Sequence, residues 1–158
     1  MLHKFRHLII WLILISGLTH VAAQLKKLPS DIKSLIEQNP FSDSSYQKLL
    51  AYLDTTKVSN VVRLHWLEEI IHHFDEGKQT EFQARSWQLL GSYLIDEGEY
   101  GDATKSLLEG LRLAEENGHI LVESLCHNGL AIIDYYRSQF KGANYHWNIV
   151  EKNQMLPV

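Results

Sequence analysis

The chain is poor in covalent constraint and in positive charge. It has one cysteine among 158 residues, Cys126, so no internal disulfide can form. Leu125 beside it and Leu130 one turn on suit a buried small hydrophobe, not a reactive thiol. Lys and Arg number 15 against 19 Asp and Glu, a formal charge of −4, or −6 once Lys4 and Arg6 are set aside with a leader. Nucleic acid is therefore not an expected partner, since a binder needs a basic face that displaces counterions from phosphates. No glycine-rich phosphate loop is present, and no stretch alternates with period two, so no sheet is expected. The mostly apolar run from Leu8 to Leu18 has eleven residues, well short of the roughly 20 that cross a bilayer.

What is there begins with that run. His3, Lys4, Arg6 and His7 precede it, and Val21-Ala22-Ala23 puts small residues ahead of Gln24. The pattern predicts a secretory signal peptide over residues 1–23, with cleavage after Ala23 and a periplasmic or secreted destination. No cysteine follows that site, so a lipid-anchored start is not expected. The remaining residues, 24–158, suit one domain with a modest core.

Helical spacing and punctuation account for nearly all of it. Ser30 is placed to cap a short helix carrying Ile32, Leu35 and Ile36, ended by Asn39-Pro40. Ser42-Asp43-Ser44 opens the next, with Tyr46, Leu49, Leu50 and Leu53 on one face. Thr55-Thr56 is expected to open a longer helix to Glu76, whose wide apolar surface implies neighbours on two sides. Gly77 is the expected left-handed stop, and Thr80 with Gln83 the capping box of the following helix. Further helices are expected to Gly98, from Tyr100 to Glu116, from Ile120 to Ser138 and from Phe140 to Lys152. Connections this short make consecutive helices antiparallel. The expected division is a leader with a short helix at 24–43, a helical repeat domain at 44–153 and a tail at 154–158.

Positions in the last half recur 40 residues apart. Leu90 returns as Leu130, Gly91 as Ala131, Tyr100 as Phe140, Ala103 as Ala143 and Leu107 as Trp147. Trp87-x2-Leu90-Gly91-x2-Leu94-x3-Gly98-x-Tyr100-x2-Ala103-x3-Leu107 resembles the tetratricopeptide repeat in order and spacing. The second copy keeps Leu130, Ala131, Phe140, Ala143 and Trp147, with Asp134 and Ser138 at the intervening places. The period exceeds the usual 34 residues, no proline follows either second helix, and residues 84–153 carry the match. The resemblance implies an all-α fold of antiparallel helical hairpins stacked as a right-handed α-solenoid. In it Gly91 and Ala131 let paired helices approach, and Tyr100 or Phe140 fills the space below the bend. It also implies a concave face, formed by the first helix of each hairpin, that binds a peptide or protein. Tyr93, Tyr135 and Tyr136 flank the core stripe of those helices and are the candidate binding residues.

Catalysis is not expected, nor a cofactor or small-molecule substrate. Cys126 and His127 are adjacent on a helix and point about 100° apart, so neither can activate the other. The competing site is His65, Glu69 and His72, where Glu69-x-x-His72 has the spacing of carboxylate-bridged metal centres. The only other such pair, Glu116 and His119, straddles the Asn117-Gly118 turn, so a solvated polar face is the simpler expectation and no metal ligand is assigned. Repeat arrays normally close with a polar capping helix, and none follows Gln154. That leaves a second expectation: the front, sensory part of a bacterial signalling receptor, in a membrane or signalling complex.

Overall fold

The computed structural model of the chain describes residues 27–38 and 41–155. The expected signal peptide, the Asn39-Pro40 stop and the last three residues of the expected tail lie outside the described residues. Among the described residues the structure is all-α, with seven helices and no strand. They are α1 (Ser30–Ile36), α2 (Asp43–Thr55), α3 (Asn60–Glu76), α4 (Thr80–Asp96), α5 (Tyr100–Asn117), α6 (Ile120–Tyr136) and α7 (Phe140–Gln154). None of these is long and apolar enough to cross a membrane.

One turn, made four times, spaces the last four helices. Lys78, Gly98, Gly118 and Ser138 all have positive φ and lie 20 residues apart. The next amide in each case, of Gln79, Glu99, His119 and Gln139, donates to a carbonyl five residues back, on Phe74, Leu94, Ala114 and Asp134, at 2.8–2.9 Å. That bond closes the preceding helix in a Schellman motif. The carbonyls of the same four residues then accept from the amides of Gln83, Ala103, Glu123 and Ala143 at 2.9–3.1 Å. A single residue thus ends one helix and starts another.

Local chemistry departs from expectation at several ends. The left-handed position before α4 is Lys78, while Gly77 has φ −77°. Gln79, not Thr80, precedes α4, and makes no side-chain cap; Gln83 instead reaches back across the turn to Asp75 Oδ1 at 3.0 Å. Pro29, not Ser30, precedes α1, whereas Ser42 Oγ does accept from the Ser45 amide and cap α2. Thr55 and Thr56 do not open α3. Their hydroxyls donate to the carbonyls of Ala51 and Tyr52 one turn back, so they complete α2 instead.

From α3 onward each helix packs on the next, and α4 also packs on α6. Gly91 of α4 faces Leu107 and Ala103 of α5, while Gly110, later in α5, faces Ala84, earlier in α4. The pair is therefore antiparallel. The same reasoning holds for α6 and α7, where His127 meets His146 and Glu123 meets Asn153.

Leu107 is the interlock. A Cβ on Gly91 would lie 2.6 Å from Leu107 Cγ, and one on Gly129 of α6 would lie 2.8 Å from Leu107 Cδ1. Leu107 is fully buried between the two glycines, a burial worth about 1.5–3 kcal/mol. Gly110 repeats the arrangement one turn on, where a Cβ would meet the Ala84 carbonyl at 3.1 Å and Cys126 Sγ at 3.2 Å. Ala103, Ala131 and Ala143 are buried as small contact residues. A second core joins α1, α2 and α3 through Ile36, Leu49, Leu53, Trp66, Leu67, Ile70 and Phe74. Leu90 of α4 belongs to this core and Ala84 to the other, with Trp87 and Leu94 packed against both, so α4 ties them together.

Phe140 does not fill a space below its bend as expected; it is 55% exposed. Tyr100, its counterpart 40 residues earlier, is half-buried because Tyr136 of α6 stacks on it at 5.7 Å. Phe140 meets Tyr135 edge-on, and that ring is itself exposed. Trp147, the counterpart of Leu107, is likewise 38% exposed.

Candidate functional site: a cleft across alternate helices

Alternate helices α2, α4 and α6 share an open cleft of about 150 Å³. Its walls are Tyr46, Gln47 and Leu50 from α2, Arg85, Gln88 and Leu89 from α4, and Leu121, Val122 and Leu125 from α6. Each trio follows helical spacing, at i, i+1 and i+4 or i, i+3 and i+4, so one face of each helix is turned the same way. Leu121 is 65% exposed and Leu125 41% exposed. Aliphatic side chains are thus held in the open beside half-buried Leu50 and Leu89. Two wider hollows sit at helix ends instead, one lined by Lys27, Leu28, Lys33, Ile36, Glu37, Glu69 and His73, the other by the 77–82 turn with Phe41 and His119.

Arg85 sets the electrostatics of the cleft. Its guanidinium holds Asp43 Oδ1 at 2.5 Å with Nη1 and Glu81 Oε1 at 2.6 Å with Nη2. It also lies over the rings of Tyr46 and Phe82, each centroid 5.6 Å away. One cation therefore answers two carboxylates, which lie one turn before the lining residues Gln47 and Arg85. Tyr46 is buried with its phenol pushed up to about 12, chiefly by burial, against the smaller pull of a Ser86 hydrogen bond and the Arg85 charge. Gln88 Nε2 is engaged by Ser92 Oγ at 2.8 Å.

The three tyrosine candidates are not brought together, and none lines this cleft. Tyr93 is half-buried, donates its hydroxyl to Asp54 Oδ1 at 2.6 Å, and lies under the Arg63 guanidinium at 5.2 Å. It clamps α4 to α2 and α3, and its phenol is raised to about 12 by burial and then by Asp54. Tyr135 and Tyr136 are 53% and 60% exposed. Together with Tyr100, Phe140 and Trp147 they form an aromatic surface at the turn end of α5, α6 and α7. Leu121 and Leu125, which sequence reasoning passed over, carried a usable signal: they sit four residues apart on α6, off its buried stripe.

The histidine cluster of α3 does not converge on one point. His65 pairs with Glu69 at 3.0 Å and Glu68 at 3.9 Å, whereas His72 pairs with Glu76 at 3.3 Å, one turn further on. Among the described residues no group of three His, Cys, Asp or Glu side chains is arranged to hold a metal ion. Cys126 is buried, and burial first, then the Glu123 charge, raises its thiol to about 12. A thiol so raised stays protonated near neutrality and is a poor nucleophile.

No family model, curated protein or solved structure matches the chain. The cleft's own chemistry therefore has to carry the functional reading. An open, mostly apolar cleft across three helices, with the Asp43 and Glu81 carboxylates one turn beyond its lining, can seat a side chain of another molecule. The groups lining it include no nucleophile placed against a base.

Proposed function

We propose that the chain is an exported protein-interaction module of tetratricopeptide type, binding a peptide or protein segment on the face formed by α2, α4 and α6. The observation that carries this reading is the cleft to which all three alternate helices contribute and in which Leu121 and Leu125 stand exposed. The 40-residue recurrence of Leu90 as Leu130, Gly91 as Ala131 and Ala103 as Ala143 supports the family reading. On this reading the hairpins α2–α3, α4–α5 and α6–α7 stack as a right-handed solenoid with the cleft on its concave side. Binding, not catalysis, is its work, and the leader pattern at residues 1–23 sends it out of the cytoplasm.

Site-specific photo-crosslinking tests the binding face. A benzophenone side chain replacing Gln47 or Leu121 is expected to give an adduct of discrete mass in the cells that make the protein, and one replacing Lys105 of α5 is expected to give none. Adding Leu125→Glu should abolish the adduct. Equal labelling at Lys105, or none from the cleft positions, would overturn the proposal.

A further inference from the structure

We infer that the segment received by the cleft is apolar and basic: one leucine-sized or aromatic side chain that enters the cleft, next to a lysine or arginine that meets its rim. The inference rests on the binding face proposed above and adds the chemistry of its partner. Size argues first. A cavity of about 150 Å³ lined by aliphatic and aromatic groups accommodates a benzene-sized guest, and this cleft has that volume with Leu50, Leu89, Leu121, Leu125 and Tyr46 around it. One side chain fills it.

Charge argues second. The basic residue in the wall, Arg85, is spent: both terminal nitrogens are on carboxylates and its faces are on rings. An incoming carboxylate would have to displace Asp43 or Glu81, and would meet the other as a like charge. An incoming cation instead finds two carboxylates answered by one guanidinium. Asp43 is mostly exposed and Glu81 partly so, which leaves both reachable from solvent. The remaining polar walls, Gln47 and Gln88, are neutral. Asp43 and Glu81 are not themselves lining residues but lie one turn before Gln47 and Arg85 on the same faces of α2 and α4, whereas Lys48, exposed on α2, is turned away from the face that carries Tyr46, Gln47 and Leu50. Glu123, beside Val122, is engaged by Asn153 of α7. Complementary charge of this kind selects partners and speeds encounter more than it adds affinity, so its signature is a preference between peptides.

Selection from a random twelve-residue display library against the full chain tests this. Recovered sequences are expected to carry Leu, Ile, Phe or Met beside Lys or Arg at least several-fold above the input library, and Leu121→Glu should remove that enrichment. The double variant Asp43→Asn, Glu81→Gln leaves Arg85 without its carboxylates and is expected to turn the preference toward Asp and Glu. Circular dichroism of each variant establishes that the helices persist. Enrichment of acidic peptides by the unaltered chain, a preference unmoved by the double variant, or no enrichment at all would overturn the inference. The binding face itself stands or falls on the crosslinks: adducts from Gln47 and Leu121 without basic enrichment would sink the partner chemistry alone.

Discussion

Replacing Gly91 with alanine puts the packing of the hairpins to a quantitative test. Alanine is a better helix residue than glycine by about 0.8–1.0 kcal/mol, so in an open position the change stabilises. At Gly91 the new methyl would sit 2.6 Å from Leu107 Cγ and 2.8 Å from Cδ2. Leu107 cannot yield, because its other side is against Gly129 and it has no solvent to move into. Overpacking of this kind costs about 1–3 kcal/mol, which outweighs or cancels the propensity gain. The net expectation is a loss of about 0–2 kcal/mol. Gly101, exposed in α5, is the control: a methyl added there would have no neighbour within 4 Å. Gly101→Ala should gain at most about 1 kcal/mol. Urea unfolding followed by far-ultraviolet circular dichroism gives both values with their m-values. On a Leu107→Ala background the clash is gone, and Gly91→Ala should become as favourable as the control. Equal stabilisation by Gly91→Ala and Gly101→Ala in the otherwise unaltered chain would refute the interlock.

Three shorter expectations follow from the same structure. His127 and His146 meet Nδ1 to Nδ1 at 2.9 Å between α6 and α7, and both are lowered from the usual histidine value, first by burial. Repulsion from His146 lowers His127 further, while Glu123 raises His127 and Asp134 raises His146. The unfolded chain therefore binds more protons below about pH 6.5, so stability present above that pH is lost as pH falls through the lowered folded values. His146→Gln should flatten the slope of melting temperature between about pH 7.5 and 5.5, and an unchanged slope would exclude the pair as its source. Cys126 should resist iodoacetamide under mildly alkaline conditions in the folded protein and react fully in urea; rapid native labelling would contradict its burial. Lys78→Gly should raise stability by about 1 kcal/mol, because a left-handed lysine carries a steric cost that glycine lacks; no gain by urea unfolding would count against the positive φ at that turn.

Helical content was legible because apolar spacing and turn residues agreed along the chain, and the last five helices begin or end within a few residues of their expected limits. The recurring turn was half legible. Gly98 and Gly118 announce a left-handed residue, but Lys78 and Ser138 occupy the same conformation without glycine, and the hydrogen bonds that make the four turns alike are between backbone groups. Gly91 was legible as a close approach, whereas the partner contact lies at Gly129, two residues before the Ala131 that the 40-residue register singles out. That register aligns α4 with α6, and the contact of Leu107 with α6 crosses it. The site was the least legible. Aromatic residues drew attention to Tyr93, whose hydroxyl and ring are used within the fold, while the exposed aliphatics Leu121 and Leu125 look like core residues until the neighbours of α6 are known.

Leu107 packs against both α4 and α6 and so helps to set these two walls of the cleft side by side. Nuclear Overhauser spectroscopy on a sample labelled at leucine methyls and glycine α-positions reads it directly. Cross-peaks are expected from the Leu107 methyls to the α-protons of both Gly91 and Gly129. Contact with one glycine and not the other would separate α4 from α6 and contradict this packing.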